Sequence, residues 1–195
     1  MFDQARYVFA LLWLVAFPIL LFWIALHPFV AFWRRMGLAA TYTILGAGCI
    51  TLGALLFTLR RPLLAIEFGT GPVLWVLTAL TYAVSLAFEG RARKHLRMSA
   101  LVGVPELRGD GAPAALLTRG IYGTVRHPRY MGATFGYLAS AFLANYLFLW
   151  AALPVFLLLL HTVVLLEERE LEERFGDAWR EYAARVPRYL PRLRA

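Results

Sequence analysis

The sequence has 195 residues, of which 61% are hydrophobic, and its mean hydropathy is +0.62. A soluble domain is usually about half apolar, so this composition excludes a single soluble domain and indicates an integral membrane protein. The net charge is +8, but the basic residues flank apolar runs, an arrangement that argues against nucleic acid as a partner. The single cysteine, Cys49, excludes an intramolecular disulfide and is expected to be a small packing residue.

Five apolar runs predict an all-α, multi-pass transmembrane protein with about five spans, each of which needs about 20 residues. The runs cover residues 7–26, 38–59, 73–88, 131–149 and 152–166. Pro18 is expected to kink the first span, and His27-Pro28 to begin the connection that follows it. In the second span, three small residues predict close helix contacts: Gly46, Gly48 and Gly53.

The last two runs adjoin, with Asn145 and Pro154 near their junction, and therefore predict a helical hairpin. A hairpin returns the chain to the face that it left, so the basic loop 91–130 and the C-terminal tail share one face. Eight of the 20 basic residues lie between Arg91 and Arg129, and seven more lie between Arg169 and Arg194. By the positive-inside rule this face is cytoplasmic, and an odd number of spans places the N-terminus outside.

Polar chemistry is concentrated at residues 119–132, RGIYGTVRHPRYMG, which lie immediately before the fourth apolar run. Arg126, His127, Arg129 and Tyr130 are therefore expected at the membrane–water boundary, where a charged cofactor and an apolar substrate can meet. The alternative is that the two arginines anchor a helix end in lipid headgroups and that His127-Pro128 only begins a helix.

The segment after the fifth run is amphipathic. One helical face carries apolar residues at intervals of three or four: Leu171, Phe175, Trp179, Tyr182 and Val186. A break is expected at Gly176-Asp177. This face should lie along the membrane or over the site.

Two glutamates directly follow the fifth run. Glu167 lies four residues before Leu171, so we expect it on the inward face, paired with a cation from residues 126–129 or from a ligand. The alternative is that this whole acidic stretch is solvated, and we adopt that interpretation for Glu170, Glu172 and Glu173.

Five elements in order carry a family resemblance: Gly120-Ile121-Tyr122, then RHPRY with Gly132, the apolar hairpin, Glu167-Glu168, and Phe175-Gly176 followed by Tyr182 and VPRYLP. Together they resemble the isoprenylcysteine carboxyl methyltransferase and phospholipid methyltransferase family of integral-membrane enzymes. The resemblance covers roughly residues 89–191. It divides the chain into residues 1–90, with three spans, and residues 91–195, the methyltransferase core.

The resemblance implies S-adenosylmethionine as cofactor, in a cytoplasmic-face pocket covered by the C-terminal segment, and a lipophilic methyl acceptor from the surrounding membrane lipids. Carried over by position, the cofactor contacts fall on Leu116, Leu117, Tyr122, His127, Pro128, Arg129, Tyr130 and Glu167. Glu167 can accept from cationic or hydroxyl groups, His127 can bind a carboxylate, and Tyr122 or Tyr130 can pack on the adenine or the sulfonium.

Two departures from the family pattern bear on the acceptor. Members that methylate an isoprenylcysteine carboxylate carry an arginine at the position of Val163 and tend to have a histidine at that of Ala114. A phospholipid amine or a hydrophobic thiol is therefore favoured over a prenylcysteine as the methyl acceptor. An amine must lose a proton, for which His127 and Glu168 are the catalytic candidates. His161 is a third candidate but is more simply a hydrogen-bonded helix residue.

Two other functions stay open. An NADPH-dependent membrane reductase of the sterol-reductase type also resembles RHPRY followed by a hairpin, although the doubled glutamate favours the methyltransferase. The second open function is that of a non-catalytic membrane subunit. For a lipophilic acceptor we predict a route that opens sideways into the bilayer between the hairpin and an earlier span. The expected location is a bacterial cytoplasmic membrane.

Overall fold

The computed structural model describes residues 2–94, 107 and 116–191. These residues are helical apart from short connections and an isolated antiparallel bridge between Glu67 and Tyr146, which confirms the predicted all-α class. Two 3-10 turns cover His27–Phe29 and Gly120–Gly123. The helices are α1 (Phe2–Ala16), α2 (Ile19–Leu26), α3 (Val30–Met36), α4 (Leu38–Thr58), α5 (Arg60–Leu63), α6 (Pro72–Arg93), α7 (Pro128–Ala144), α8 (Leu147–Phe175) and α9 (Asp177–Arg185).

Within the described residues, four helical segments are long and apolar enough to cross a membrane. They are Asp3–Met36, Leu38–Thr58, Pro72–Arg93 and Leu147–Phe175. The fourth predicted span is α7, whose 17 residues rise about 26 Å, slightly less than the hydrocarbon core of a bilayer. Large apolar side chains on α4, α6 and α8 face outward, for example Ile50, Val73 and Leu158, as lipid-facing residues do. The chain is a multi-pass integral membrane protein.

The N-terminal helix breaks at Phe17-Pro18, as predicted, but the connection predicted from His27-Pro28 is wrong. The chain stays helical there through a 3-10 turn and α3, because Pro28 stands early in the turn, where no backbone N–H donor is needed. The Trp33 indole also donates to the Ala25 carbonyl oxygen at 2.9 Å and ties α3 back to α2. The connection begins instead at Gly37, whose φ of +82° suits glycine.

The hairpin turns five residues earlier than the apolar runs suggest. The fourth run was expected to extend to residue 149, but α7 ends at Ala144 and Asn145 adopts a left-handed conformation with φ +54°. Asparagine tolerates this conformation, and its side chain donates to the Gly69 carbonyl oxygen at 2.6 Å. Its amide oxygen accepts from the Trp150 indole at 2.9 Å. The polar turn therefore decides the boundary, and Pro154 lies inside α8.

Helix α6 also extends further than predicted, since it continues past Phe88 to Arg93. The start of the predicted basic loop is therefore helical. His95, Ala114 and most of the rest of that loop lie outside the described residues.

The predicted close helix contacts are confirmed at Gly53 and wrong at Gly46 and Gly48. Of the three in α4, only Gly53 is near another helix, because a Cβ there would lie 2.8 Å from the Val15 carbonyl oxygen. Gly46 and Gly48 face open space. Close packing also occurs between α6 and α7, where Cβ atoms at Gly132 and Gly136 would meet Glu89 at 3.0 Å and Ser85 at 3.1 Å. The Ser85 hydroxyl donates to the Gly132 carbonyl oxygen at 2.8 Å.

Candidate functional site

The start of α7 and the middle of α8 meet at one end of the helical bundle. Pro128 is the first residue of α7, a position that proline favours, and it presents the preceding His127 to α8. His127 Nε2 lies 2.9 Å from Glu168 Oε1, and its Nδ1 lies 3.8 Å from Glu167 Oε2. The predicted approach of residues 126–130 to residues 167–168 is therefore confirmed.

Glu168 is the buried centre of this end, which we call the Glu168 cluster: Glu168 with Arg126, His127 and Arg188. Its carboxylate accepts from Arg188 Nε at 3.0 Å and Nη2 at 2.6 Å, and Arg126 Nη1 lies 3.4 Å away. Glu168, and not Glu167, is therefore the more buried of the two glutamates, so the expectation that Glu167 is the inward one is wrong. The predicted approach of Glu167 to a cation from residues 126–129 is met by His127 Nδ1 at 3.8 Å, and its pairing with a ligand stays a prediction. The helical repeat places Glu168 on the buried face, with Val164, and leaves the Glu167 side chain 37% exposed.

The C-terminal segment contributes to the cluster through its backbone as well. The Arg126 amide donates to the Pro187 carbonyl oxygen at 2.9 Å, and the His127 amide donates to the Arg188 carbonyl oxygen at 3.1 Å. Residues 187–188 therefore lie directly against residues 126–127. Sequence reasoning quoted VPRYLP but gave Arg188 no role, although an arginine between two prolines near an acidic helix is a signal for such a pairing. The hydrogen bonds to Glu168 raise the pKa of Arg188, which keeps it cationic.

Some charged atoms beside the cluster make no hydrogen bond to a described residue. Glu167 Oε2 and Arg129 Nε are buried and make no hydrogen bond within the described part of the chain. Both Glu167 and Arg129 are close enough to influence the Tyr122 hydroxyl electrostatically, as is Glu89 of α6. A buried polar atom without a partner is costly unless a ligand or water satisfies it. A ligand that carries both a cationic and an anionic group would therefore complement Glu167 and Arg129 in charge.

The amphipathic face of the C-terminal segment packs over this end, as predicted. Trp179, Tyr182 and Val186 form a buried cluster, which Leu116 and Phe175 contact. The Tyr182 hydroxyl donates to the Tyr122 carbonyl oxygen at 2.6 Å, and burial raises the pKa of Tyr182 to about 12. The break falls at Gly176, whose φ is +54°. Arg126 also lies over the Trp179 ring, 5.5 Å from its centroid, so α9 and the cluster are joined directly.

The other candidate residues have mixed positions. The Tyr130 ring lies 5.6 Å from that of His127 and packs against the central core, and Leu117 is half-buried. His161 Nδ1 lies 2.7 Å from the Tyr189 hydroxyl, so it is a hydrogen-bonded helix residue, as the simpler interpretation has it.

Of the three glutamates interpreted as solvated, two are exposed and paired: Glu172 with Arg180, and Glu173 with Arg169. Glu170 is different, because its carboxylate lies 2.9 Å from Nδ1 of the buried His27. That pair connects α8 to the N-terminal helices. The sequence pattern places His27 in a connection and therefore does not predict its pairing with Glu170.

One comparison with known families matches the part of the chain that contains most of this cluster. The model of one family matches residues 99–178, a stretch that includes His127, Glu167 and Glu168. The match is to the phospholipid methyltransferase family. The resemblance seen in the sequence is thereby confirmed, and the match supports a membrane methyltransferase. No solved structure matches the chain. The matched residues end at Ala178, so they include neither the rest of α9 nor Arg188. The part that these residues play in the site rests on the contacts described above.

Proposed function

We propose that the protein transfers a methyl group from S-adenosylmethionine to a lipophilic acceptor at the cytoplasmic boundary of the membrane. The observation that carries the proposal is the convergence of RHPRY, Glu167-Glu168 and VPRYLP. At their edge, charged atoms of both signs make no hydrogen bond within the described residues. When bound, S-adenosylmethionine supplies a sulfonium methyl group and leaves as a neutral thioether once the lone pair of the acceptor has bonded to the methyl carbon.

The residues present fit such a cofactor. Its amino acid part carries an ammonium and a carboxylate, which Glu167 Oε2 and Arg129 Nε would match in charge. Tyr122, whose hydroxyl pKa is raised by burial, stays neutral and offers an aromatic ring to the adenine or the sulfonium. The other proposed contacts are Leu116, Leu117, His127, Pro128 and Tyr130.

Within the cluster, we assign the two catalytic candidates different roles. Both oxygens of Glu168 already accept hydrogen bonds from Arg188, so Glu168 positions its neighbours and is a poor proton acceptor. His127 is held through Nε2 by Glu168, which leaves Nδ1 facing the side of Glu167. If the acceptor is an amine, His127 Nδ1 is the atom that takes its proton. The rest of the acceleration comes from positioning in a site that excludes water.

The acceptor is not a carboxylate held in the manner of an isoprenylcysteine. The position that would supply an arginine is Val163, which is fully buried in α8. Because an apolar residue there cannot pair with a carboxylate, a lipid amine or thiol fits the proposal better. Membrane lipids and the acceptor are the proposed partners, with the N-terminus outside.

Isothermal titration of the purified chain with S-adenosylmethionine and with NADPH tests the proposal. We expect S-adenosylmethionine to bind and Glu167→Gln to weaken it about tenfold, the usual effect of losing a hydrogen bond to a charged group. Glu173→Gln is the matched control, because Glu173 is an exposed glutamate on the same helix. Binding of NADPH alone would favour the reductase, and binding of neither would favour a non-catalytic subunit.

A further inference from the structure

A second concave surface lies beside the Glu168 cluster, on the other side of the Gly120–Gly123 turn. It is an open groove of about 570 Å³, within the usual size of ligand sites. One wall is a single face of α6, and the other is formed by residues 120–125 and Pro191. We call it the α6 groove. Its lining residues are Val84, Ala87, Phe88, Arg91, Lys94, Gly120, Ile121, Thr124, Val125 and Pro191.

The α6 groove is apolar along its length and cationic at one end. Val84, Ala87 and Phe88 line its floor, and the same helix exposes Leu80 and Leu86 to lipid. Arg91 and Lys94 follow one and two turns later and are the charged residues among its lining, with no carboxylate beside them. Within the described residues neither has a carboxylate within 4 Å, whereas Arg93, on a different face, pairs with Glu89 at 3.3 Å.

The cationic end lies at the depth of the Glu168 cluster. Helices α6 and α7 are antiparallel, since Phe88 stacks on Phe135 and Glu89 lies against Gly132. Arg91 and Lys94 continue α6 in the direction in which α7 leads back to His127. The far wall of the groove, Thr124-Val125, is joined covalently to Arg126. A molecule with its charged end at Arg91 and Lys94 is therefore next to the proposed site.

We propose that the α6 groove is the binding site of the acceptor, and that Arg91 and Lys94 bind the phosphate of its headgroup. An occupant with an apolar body and an anionic head matches this surface, because two cations three residues apart suit a phosphate at a membrane boundary. The acyl chain lies along Val84 and Phe88 and extends into the bilayer. This inference rests on the proposed function and deepens it, because it gives the acceptor a site and makes Arg91 and Lys94 the residues that bind its headgroup. It also narrows the predicted lateral route, between the hairpin and an earlier span, to the space between α6 and residues 120–125.

Photolabelling of the full chain in nanodiscs tests the site without requiring turnover. The probe is phosphatidylethanolamine with a diazirine in one acyl chain, and the comparison probe is the matching diacylglycerol, which lacks the phosphate. We expect the first probe to label peptides that contain residues 84–94 or 120–125. Arg91→Gln with Lys94→Gln should reduce that labelling about tenfold and leave the weak labelling by diacylglycerol unchanged.

Arg34→Gln with Arg35→Gln is the matched control, because it removes two exposed positive charges from α3 without touching the groove. Ala87→Trp is a second variant, which fills the apolar floor and should reduce labelling by both probes. Equal labelling in the Arg91/Lys94 variant and in the control overturns the proposal, as does labelling confined to other helices.

Failure of the proposed function has a different signature. Groove labelling in a protein that does not bind S-adenosylmethionine supports the lipid site and overturns methyl transfer. Conversely, methylation of phosphatidylethanolamine with an unchanged KM in the Arg91/Lys94 variant overturns the groove and leaves methyl transfer standing. If both proposals hold, the variant raises the KM for the lipid about tenfold and leaves the Kd of S-adenosylmethionine unchanged.

Discussion

The charge balance of the Glu168 cluster depends on one carboxylate. Glu168 is the shared partner of Arg126, His127 and Arg188, and the first two are almost wholly buried. Removing one partner of a buried ionic network is costly because the remaining charges lose their compensation. The same carboxylate fixes the start of α7 to the C-terminal segment, so its loss affects geometry as well as charge.

We therefore predict that Glu168→Ala destabilises the protein by about 3 kcal/mol. The measurement is thermal unfolding in detergent, followed by tryptophan fluorescence. Glu173→Ala, which removes an exposed carboxylate paired with Arg169, should change the unfolding temperature little, because exposed pairs contribute about 0–1 kcal/mol. A similar shift in the two variants would show that the Glu168 cluster does not stabilise the fold.

A pH dependence follows from Tyr182. Burial raises the pKa of its hydroxyl to about 12, whereas an unfolded tyrosine titrates near 10. The folded state therefore holds the proton more tightly than the unfolded state. The stability that this proton supports is present below about pH 10 and is lost as the pH rises towards 12.

Between pH 9.5 and 11.5 the unfolding temperature of Tyr182→Phe should therefore fall less steeply than that of the unchanged chain. The difference between the two slopes should be about that expected from the titration of one group. Below pH 9 the variant should be less stable by about 1–2 kcal/mol, because the buried Tyr122 carbonyl oxygen loses its donor. Identical pH slopes would contradict the assignment.

At the scale of the helices, α6 and α7 are held together by small residues. Gly132 and Gly136 leave room for the Glu89 and Ser85 side chains, and the Ser85 hydroxyl bonds to the Gly132 carbonyl oxygen. Small residues four apart are the common device for close helix contact in lipid. Because this contact sets the position of His127 relative to α6, it also sets one wall of the proposed site.

Gly132→Val should therefore destabilise the protein by about 1–3 kcal/mol, since its side chain would overlap Glu89. Gly48→Val is the matched control, because that α4 glycine has nothing within 4 Å of its Cβ position. Thermal unfolding of the two variants in the same detergent makes the comparison. Equal destabilisation would mean that helix propensity, and not packing, decides the outcome.

Much of the helical architecture follows from hydropathy, because in lipid the backbone N–H and C=O groups of each span must form hydrogen bonds within that span. The positions of Pro18 and Gly176 also follow from the local properties of proline and glycine. Other features depend on contacts between distant residues. The hairpin boundary depends on bonds from Asn145 to Gly69 and Trp150, and the choice between Glu167 and Glu168 depends on where α7 lies around α8. The four-residue spacing between Glu167 and Leu171 does not by itself decide which of the two adjacent glutamates faces the interior.

For the whole molecule, two buried polar centres stand at opposite ends of the bundle. At the end opposite His127, the buried Arg6 forms an ion pair with Glu67 and donates to the Ala144 carbonyl oxygen at 2.8 Å. Tyr146 adds a hydrogen bond to Glu67 at 3.0 Å. This second centre fastens α1 to the loop before α6 and to the hairpin turn. It therefore contributes to the fold at a distance from the proposed chemistry.

We predict that Arg6→Met lowers the free energy of unfolding by about 3 kcal/mol, because Glu67 and the Ala144 carbonyl oxygen lose a buried partner. The affinity for S-adenosylmethionine, measured well below the unfolding temperature, should stay the same, since the two centres share no residue. Arg61→Met, which removes an exposed arginine from the same end, is the control and should leave both quantities unchanged. Glu167→Gln should behave in the opposite way, with weaker cofactor binding at nearly constant stability. A loss of cofactor affinity in Arg6→Met, in a protein that is still folded, would show that the two ends are coupled and that stability and binding cannot be assigned to separate centres.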